Sequence, residues 1–365
     1  MGTKARLARH EQTFEMKWKK NLWQIARGLL FRLDPEAAHA LGGFLLEKGA
    51  HFLPAAPRSS RVVEKTLGGK KLLSPIGLAA GFDKDGKYIP ALSRLGFGFV
   101  EVGTVTPLPQ PGNPKPRMFR LPHSRALVNR LGFNSEGMEA VATRLEHLLA
   151  RGPYPMPVGV NLGKNKATPN ERALDDYLLG LERFFKIADF FVINLSSPNT
   201  PGLRNLLDEA ELSPLVKGLA EKNRSLGQRN SSGAKEIFLK VSPDMENEGL
   251  KRAVEIALEA GFSGIVATNT TIQRELPGVD PRDGKNLREA GGLSGAPLKH
   301  LSAARVAELR GIMGKGPKLI SVGGIDSVEE ARRRLDAGAD FLEIYTSFIY
   351  EGPDFPAELA QGLNS

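Results

Sequence analysis

Neutral amide side chains recur in this sequence at or shortly after the ends of short apolar runs. The set consists of Asn129, Asn134, Asn161, Asn194, Asn199 and Asn269. An asparagine side chain carries hydrogen-bond donors and an acceptor, which complements a cyclic imide or amide that alternates N–H and C=O groups. One asparagine at the end of a strand is usually a turn former, but six that converge favour a binding site for a flat, uracil-like ring.

Two lysines accompany these amides. Lys240 lies inside an apolar run, where a cation is costly unless an anion pairs with it, so it predicts either a functional group or a buried ion pair. Lys84 follows another run, in a loop that nearly matches a P-loop. That interpretation is rejected because Tyr88 replaces the magnesium-binding hydroxyl, and because Asp83 and Asp85 would repel phosphates.

Glycine-rich segments follow the last apolar runs of the chain. Gly323-Gly324 and Thr346-Ser347 follow the final two runs, and Gly291–Gly295 supplies another tight turn. In a barrel of eight strands, the ends of the last two strands commonly bind a phosphate through backbone N–H groups. The sequence therefore predicts a phosphate-bearing cofactor.

The elements that must position these residues follow a repeating pattern. Eight β-branched or aliphatic runs alternate with amphipathic stretches, which is typical of βα units around a parallel sheet. The runs are Ile76–Ala80, Gly98–Thr104, Pro157–Leu162, Asp189–Ser196, Glu236–Ser242, Gly264–Asn269, Lys318–Gly323 and Asp340–Thr346. Helical patterns cover Glu136–Leu149, Leu174–Ile187, Asn247–Ala260, Ala303–Met313 and Val328–Ala337. We predict an α/β fold, a (β/α)₈ TIM barrel, with a doubly wound open sheet as the alternative.

Two amphipathic segments, Leu22–Leu33 and Glu36–Leu53, precede the barrel, and Asp34-Pro35 separates them. They could pack on the barrel, or form an apolar vestibule at a membrane surface. Val63–Leu73 is predicted to form a hairpin around Gly68-Gly69 that closes the barrel floor.

Composition excludes several classes of protein. Hydrophobic residues make up 41% and charged residues 25% of the 365 residues, which is ordinary for a globular chain. The absence of cysteine excludes disulfides, thiolate metal sites, iron–sulfur ligation by this chain and cysteine nucleophiles. No uncharged apolar run approaches the roughly 18 to 20 residues that span a bilayer.

The net charge of +9 is unevenly distributed, because residues 1–20 alone hold six Lys or Arg. Such a basic arm suits nucleic acid or anionic lipid, or it merely adds solubility. The basic stripes with interleaved aromatic residues that mark nucleic-acid modules are absent further along, so we favour an anionic membrane surface and expect no nucleic-acid partner.

Several long motifs resemble class 2, quinone-dependent dihydroorotate dehydrogenase. They follow the family's order from Leu33 to Gly352: Leu33–His39, Ala80–Lys84, Gly103–Asn113, Asn129–Asn134, Asn194–Arg204, Thr268–Thr270, Gly291–Gly295 and Val322–Ile325. The resemblance implies an FMN enzyme of de novo pyrimidine (UMP) biosynthesis that oxidises (S)-dihydroorotate to orotate and passes the electrons to a membrane quinone. The cysteine-free composition agrees, because class 1 relatives use a cysteine base.

The resemblance also implies individual roles. Ser197 would be the catalytic base, and Thr200 and Phe133 would shape a proton relay. Substrate would be bound by Lys84, Asn129, Arg130, Leu131, Gly132, Phe133, Asn194, Asn199, Asn269 and Thr270. One FMN per chain would be bound by Ala80, Gly81, Lys84, Thr104, Asn161, Asn194, Lys240, Thr268, Gly295, Gly324, Tyr345 and Thr346. His39, Arg120 and Tyr345 would line a quinone tunnel, and no metal is expected.

We divide the chain into a basic arm (1–20), which does not match the family pattern, a two-helix segment for membrane and quinone access (21–60), and a barrel that binds FMN and dihydroorotate (61–365). We expect no obligatory protein partner. A peripheral position on the cytoplasmic face of a bacterial cell membrane is favoured, because Glu11 and Glu15 do not suit a mitochondrial leader.

Three other functions remain open from the sequence. A phosphosugar aldolase or isomerase would use Lys240 as a Schiff-base nucleophile. A non-catalytic flavoprotein at a membrane would keep the FMN and the basic arm. A class 1 type of enzyme would use fumarate or NAD and would not need the N-terminal helices.

Overall fold

The computed structural model describes residues 21–53 and 65–364, so the predicted basic arm lies outside the described residues. The strands are β1 Thr66–Leu67, β2 Lys70–Lys71, β3 Ile76–Leu78, β4 Phe99–Val105, β5 Met118–Leu121, β6 Ala126–Asn129, β7 Val158–Leu162, β8 Phe190–Asn194, β9 Glu236–Val241, β10 Gly264–Ala267, β11 Gly292–Gly295, β12 Lys318–Val322 and β13 Phe341–Ile344. Eight of them close into a parallel barrel in the order β10-β12-β13-β3-β4-β7-β8-β9. The predicted (β/α)₈ barrel is confirmed, and the open doubly wound sheet is wrong.

Helices surround the barrel and extend from it. They are α1 (21–30), α2 Pro35–Gly49, α3 Ile89–Arg94, α4 Met138–Leu149, α5 Ala173–Phe184, α6 Glu209–Arg229, α7 Asn247–Ala260, α8 Gly284–Leu287, α9 Lys299–Met313, α10 Val328–Asp336, α11 Thr346–Glu351 and α12 Phe355–Gly362. The helix α6 lies in a stretch between two strands where a helix was expected but its bounds were not predicted. It contains Pro214, Gly218 and Gly227, which lower helix propensity and obscure its pattern in the sequence.

The floor of the barrel is closed by the predicted hairpin, in which β1 and β2 pair antiparallel. Leu67 and Leu72 are fully buried against a ring of phenylalanines at the beginnings of the strands, comprising Phe99, Phe190, Phe238 and Phe341. The N–H of Gly68 donates to Glu236, and Lys70 pairs with Asp189. Residues 63 and 64 of the predicted hairpin lie outside the described residues.

A second, three-stranded antiparallel sheet in the order β11-β6-β5 was not predicted. Each of its strands has four residues, which is too short for a clear periodic signal. Glycine is required where β11 begins, because a Cβ on Gly292 would lie 1.9 Å from the Thr270 hydroxyl oxygen. The register pairs Gly292 with Asn129, so this sheet brings the segment around Asn129 beside the loop that follows β10.

The two N-terminal helices have the predicted boundary between them. Asp34 caps α2, since its Oδ1 accepts hydrogen bonds from the N–H groups of Glu36 and Ala37 at 3.0 Å each. Both helices end earlier than predicted, at residue 30 and at Gly49. The helices contact the barrel, but the segment 21–53 that contains them leaves large apolar side chains exposed, namely Leu22, Ile25, Leu29, Leu33, Leu41, Phe44, Leu45 and Phe52. Among the residues described, no helix combines the length and hydropathy needed to cross a membrane.

Candidate active site

A cavity at the carboxyl ends of the barrel strands collects most of the predicted site residues. We call it the polar cavity, and it encloses about 1240 Å³ of empty space, part of which opens to solvent. The predicted residues that line it are Ala80, Gly81, Lys84, Thr104, Asn129, Leu131, Gly132, Phe133, Asn194, Ser197, Asn199, Lys240, Thr268, Asn269, Thr270, Gly295, Gly324, Tyr345 and Thr346. The strand ends thus converge as the barrel topology requires.

A network of amides and hydroxyls forms one wall of the polar cavity. The Nδ2 of Asn194 donates to Thr104 Oγ1 at 3.1 Å and to Asn161 Oδ1 at 3.3 Å. Asn269 Nδ2 in turn donates to Asn194 Oδ1 at 3.3 Å and to Ser196 Oγ at 3.1 Å. Asn161 is fully buried behind this wall. Because the side chains bond one another, their orientations are set before any ligand arrives.

Ser197 lies in the polar cavity with its hydroxyl held by the backbone. The side chain is 6% exposed, and its Oγ accepts a hydrogen bond from the N–H of Asn199 at 3.2 Å. The Nδ2 of Asn199 donates to Asn129 Oδ1 at 3.1 Å. Among the described residues, neither Asn199 Oδ1 nor the buried hydroxyl of Thr200 has a hydrogen-bond partner. Both atoms are therefore available to a ligand or to water.

Phe133 has a strained backbone beside these groups. Its φ of +58° lies in the left-handed region, which is rare for a bulky side chain and occurs mainly at functional sites. The carbonyl of Phe133 accepts a hydrogen bond from Gln110 Nε2 at 2.9 Å. This bond helps to hold the ring against the polar cavity.

Lys84 presents its ammonium group to the polar cavity. Within the described part of the chain it forms no hydrogen bond and no ion pair, and burial lowers its pKa to about 8. The neighbouring Asp83 holds the loop, because its carboxylate accepts the N–H groups of Lys87 and Tyr88 at 2.8 Å each. Burial raises the pKa of Asp83 to about 6. Asp83 thus stabilises the loop, and Lys84 remains available for an anion.

Lys240 is both paired and exposed to the polar cavity. Its Nζ lies 3.1 Å from each carboxylate oxygen of Glu101, which also accepts a hydrogen bond from Asn161. The ion-paired alternative for Lys240 is therefore confirmed, and this pairing disfavours a Schiff-base nucleophile. Glu343 lines the cavity beside this pair.

A second cavity lies between the N-terminal helices and the barrel. We call it the apolar cavity; it encloses about 1170 Å³ of empty space, and its walls include Trp23, Leu30, Phe31, Ala38, Gly42, Leu46, Phe82 and Phe348. His39 and Arg120, which were predicted for a quinone tunnel, both line this cavity. Burial lowers the pKa of each of these two side chains.

The two cavities share part of their walls, since Met118 and Leu127 line both. Tyr345 was predicted both to bind FMN and to line the quinone tunnel; it lines the polar cavity and not the wall of the apolar cavity. Its ring packs edge-on against Phe82, with centroids 5.6 Å apart, and Phe82 packs against His39 at 4.9 Å. Tyr345 thus contacts a residue of the apolar cavity's wall, Phe82.

Arg130 is the predicted ligand whose side chain points elsewhere. Its guanidinium donates to Glu289 at 2.6 Å and to the carbonyl of Pro116 at 2.9 Å, and it lies 4.6 Å from the centre of the Phe119 ring. Arg130 does not line the polar cavity. Here Arg130 braces the antiparallel sheet, which the sequence analysis did not anticipate.

Sequence reasoning missed four charged residues around the site. Glu101 and Glu343 stand inside apolar strands, the same signal that singled out Lys240. Arg204 and Asp244 form an ion pair that we call the clamp, and the sequence pattern marks these two residues less clearly. Arg204 donates to the carbonyl of Ser196 and to Asp244, both at 3.2 Å, and Asp244 accepts the N–H of Ile272 at 3.0 Å. This clamp ties the Ser197 loop to the loop after β10.

Comparison with known proteins decides the family. The family model described as dihydroorotate dehydrogenase matches residues 62–365. The chain belongs to the dihydroorotate dehydrogenase family. It is 43% identical over 92% of its length to dihydroorotate dehydrogenase (quinone) from Chloroflexus aurantiacus, covering 94% of that protein. The same name is given to a relative from Anaeromyxobacter dehalogenans, which is 45% identical over 94% of this chain and 92% of its own.

Solved structures agree with this assignment. A crystal structure of DHODH from Eimeria tenella in complex with ferulenol superposes with a TM-score of 0.82 at 38% identity, covering 90% of each chain. A ligand-free DHODH from the same organism gives a TM-score of 0.82 at 39% identity, covering 90% of this chain and 94% of its own. The predicted resemblance is confirmed, and the family is one of oxidoreductases.

Membership of this family implies a flavin cofactor, and the polar cavity fits one. The buried hydroxyl of Thr268 has no partner among the described residues, so a ligand could supply one. Gly295 and Gly324 have left-handed φ angles of +97° and +72°. A Cβ on Gly324 would lie 2.4 Å from the backbone of Lys299. Gly295 lies beside the start of α11, since a Cβ added to it would lie 2.9 Å from the Thr346 side chain, and free backbone N–H groups there suit a phosphate.

Proposed function

We propose that this chain is an FMN-dependent dihydroorotate dehydrogenase that oxidises (S)-dihydroorotate to orotate in pyrimidine biosynthesis and is reoxidised by a membrane quinone. The observation that carries the proposal is the arrangement of two cavities with a shared wall. The polar cavity holds Ser197 and the unpaired Lys84, and the apolar cavity suits a hydrophobic acceptor. Two half-reactions then share one cofactor, while their substrates use different entrances.

The polar cavity suits the substrate in charge and in hydrogen bonding. The carboxylate of dihydroorotate would pair with the Lys84 ammonium group, which has no protein anion bound to it among the described residues. The ring would meet the amides of Asn129, Asn194, Asn199 and Asn269. Because Asn199 Oδ1 has no partner among the described residues, it supplies an acceptor for a ring N–H group.

The oxidation removes a proton from C5 and a hydride from C6 of the ring. A bound flavin supplies the chemistry of hydride acceptance and of electron transfer to the quinone. Ser197 Oγ would take the C5 proton, and the N–H of Asn199 orients that oxygen. A serine hydroxyl is a weak base, so Ser197 must pass its own proton onward. The unpaired hydroxyl of Thr200, with Phe133 excluding bulk water, would provide the relay.

The remaining predicted residues would hold the FMN. Gly295, Gly324 and Thr346 would bind its phosphate through backbone N–H groups. Lys240 would stabilise the negative charge that the flavin gains on reduction, because a cation in a water-poor cavity acts strongly on nearby charge. Asn161 would act from behind the wall, through the Thr104 and Asn194 side chains that it bonds.

The apolar cavity would admit the quinone, with His39 and Arg120 as its polar contacts. The exposed apolar side chains of α1 and α2, together with the basic arm, suit a peripheral position on the cytoplasmic face of a bacterial membrane with anionic lipid. We retain the division into an arm (1–20), an access segment (21–60) and a catalytic barrel (61–365). The tilt and depth of insertion would follow from those exposed side chains.

The test is the visible spectrum of the purified protein under anaerobic conditions. We expect a flavin spectrum that bleaches when dihydroorotate is added and recovers when a short-chain quinone follows. A yellow protein that ignores dihydroorotate would remove the substrate from the proposal. A protein reoxidised by fumarate or NAD but not by quinone would point to a class 1 type of activity.

A further inference from the structure

Glu343 is a buried carboxyl group that the proposed mechanism does not use. It lies in β13, is fully buried as a residue, and lines the polar cavity. Among the described residues, no side chain or backbone N–H donates to either of its carboxylate oxygens. Such a group is costly to bury as an anion because it receives no compensating hydrogen bond. Its protonation state therefore needs an explanation.

The groups that face Glu343 are themselves charged. Lys240 of β9 lines the same cavity as Glu343 and is paired with Glu101 of β4, and the charges of both residues act on Glu343. The negative charge of Glu101 is already balanced, because both its oxygens contact Lys240 and it also accepts a hydrogen bond from Asn161. The cluster thus holds two carboxyl groups and one cation. With both carboxyl groups ionised, its net charge would be −1.

The two largest effects on the pKa of Glu343 act in the same direction. Burial raises the pKa of the Glu343 carboxyl well above its usual range, and the Glu101 carboxylate raises it further, against a smaller opposing effect of Lys240. A proton on Glu343 would also make it a hydrogen-bond donor, which Glu101 could accept. With Glu343 neutral, the two carboxyl groups do not repel each other, as they would if both were ionised.

We propose that Glu343 is a positioning residue that stays protonated beside Glu101, so that the charge of Lys240 remains available to the reduced flavin. This rests on the proposed function in so far as it requires a flavin in the polar cavity. A hydride carries one proton and two electrons, so the group that accepts it gains one negative charge. If Glu343 were ionised, the cluster would repel that added charge instead of stabilising it.

Infrared spectroscopy combined with redox titration tests this proposal. The carbonyl stretch of a protonated carboxylic acid, assigned by its absence in Glu343→Gln, should be present in the wild-type holoprotein at neutral pH. The flavin midpoint potential would be titrated against dyes from neutral to alkaline pH in both proteins. At the pH where the band disappears, the flavin midpoint potential of the wild type should become lower than that of Glu343→Gln, because the glutamine stays neutral while Glu343 becomes negatively charged. Asp176→Asn, which removes a buried carboxylate on α5, should keep the wild-type profile.

The outcomes separate this proposal from the proposed function. The proposal is supported if the carboxylic acid band is present at neutral pH, and if the difference in midpoint potential between the wild type and Glu343→Gln stays constant over the pH range in which the band persists. Absence of the band at neutral pH overturns the proposal. A difference in midpoint potential that does not change at the pH where the band disappears overturns it as well. Neither readout uses dihydroorotate, so failure of the substrate assignment would appear separately, as a flavin that dyes reduce and dihydroorotate does not.

Discussion

The two cavities differ in how their walls are built. The polar cavity is formed by strand ends and loops of one closed barrel, and its side chains bond one another, as Asn194 bonds Thr104, Asn161 and Asn269. The apolar cavity takes part of its wall from α1 and α2, which are attached from outside. In the proposed function, proton and hydride chemistry would therefore rest on side chains that the barrel itself holds in place. Access for the acceptor would rest on a segment that is docked against the barrel.

The attachment of that segment is polar and partly buried. Arg117 is 8% exposed and binds Glu36 of α2, with Nη2 2.9 Å from Oε1. On α1, Trp23 and Arg27 both donate to the carbonyl of Tyr350, at 3.1 and 2.8 Å. Substitutions at these contacts should slow reoxidation of the flavin by quinone and leave its reduction by dihydroorotate unchanged.

The largest expected effect concerns the polar cavity alone. Ser197→Ala should slow flavin reduction by dihydroorotate by about 100- to 10,000-fold, because the C5 proton loses its acceptor. Anaerobic stopped-flow absorbance measures this rate, and reoxidation by quinone should keep its wild-type rate. Ser196→Ala is the matched control; it removes a hydroxyl that bonds Asn194 and Asn269, and we expect a much smaller loss. Equal effects in the two variants would contradict the role of Ser197.

The next effect concerns the attachment of α2. Arg117→Ala should weaken docking by about 1.5 to 3 kcal/mol, the usual contribution of hydrogen bonds to a charged group. We expect the KM for quinone to rise by about tenfold or more, while dihydroorotate still reduces the flavin. Lys115→Ala is the control, since Lys115 is 67% exposed and 3.8 Å from the same carboxylate. A loss of flavin reduction in Arg117→Ala would show that the two regions are not separable.

The affinity of the polar cavity for orotate should depend on pH through the charge of Lys84. Lys84 has a lowered pKa of about 8, so its positive charge is present at neutral pH and is lost as the pH rises through that value. Orotate affinity, measured by its perturbation of the flavin spectrum, should therefore fall above about pH 8, by up to about tenfold per pH unit. Lys84→Met should bind weakly with no such fall. Lys87→Met, in the same loop but paired with Glu136, should keep the wild-type profile.

The smallest effect concerns the volume of the apolar cavity. Gly42 lines this cavity, and a Cβ added there meets no atom within 4 Å, so Gly42→Leu should fill space without displacing the backbone. We expect a several-fold rise in the KM for quinone and slightly higher stability, because leucine favours a helix over glycine by about 0.5 to 1 kcal/mol. Gly28→Leu, equally unhindered on α1 but outside the cavity wall, should leave the KM unchanged. Steady-state kinetics with a short-chain quinone makes the comparison.

The sequence predicts the polar cavity better than its surroundings. The period of the βα units fixes which residues end the strands, so Asn194, Ser197 and Lys240 could be brought together without coordinates. The direction of Arg130 could not, because it depends on a sheet of four-residue strands that pair across more than 150 residues of chain. The Glu343 cluster was equally hidden. Each carboxyl group was visible in its own strand, but their contact arises only when the barrel closes.

Separate measurement of the two half-reactions tests the account most directly. Anaerobic stopped-flow absorbance would follow flavin reduction by dihydroorotate, and then reoxidation by quinone, in the wild type, Ser197→Ala and Arg117→Ala. We predict that Ser197→Ala loses only the first rate and that Arg117→Ala loses only the second. If either variant loses both rates equally while retaining its flavin, the division of labour between the polar and apolar cavities is contradicted.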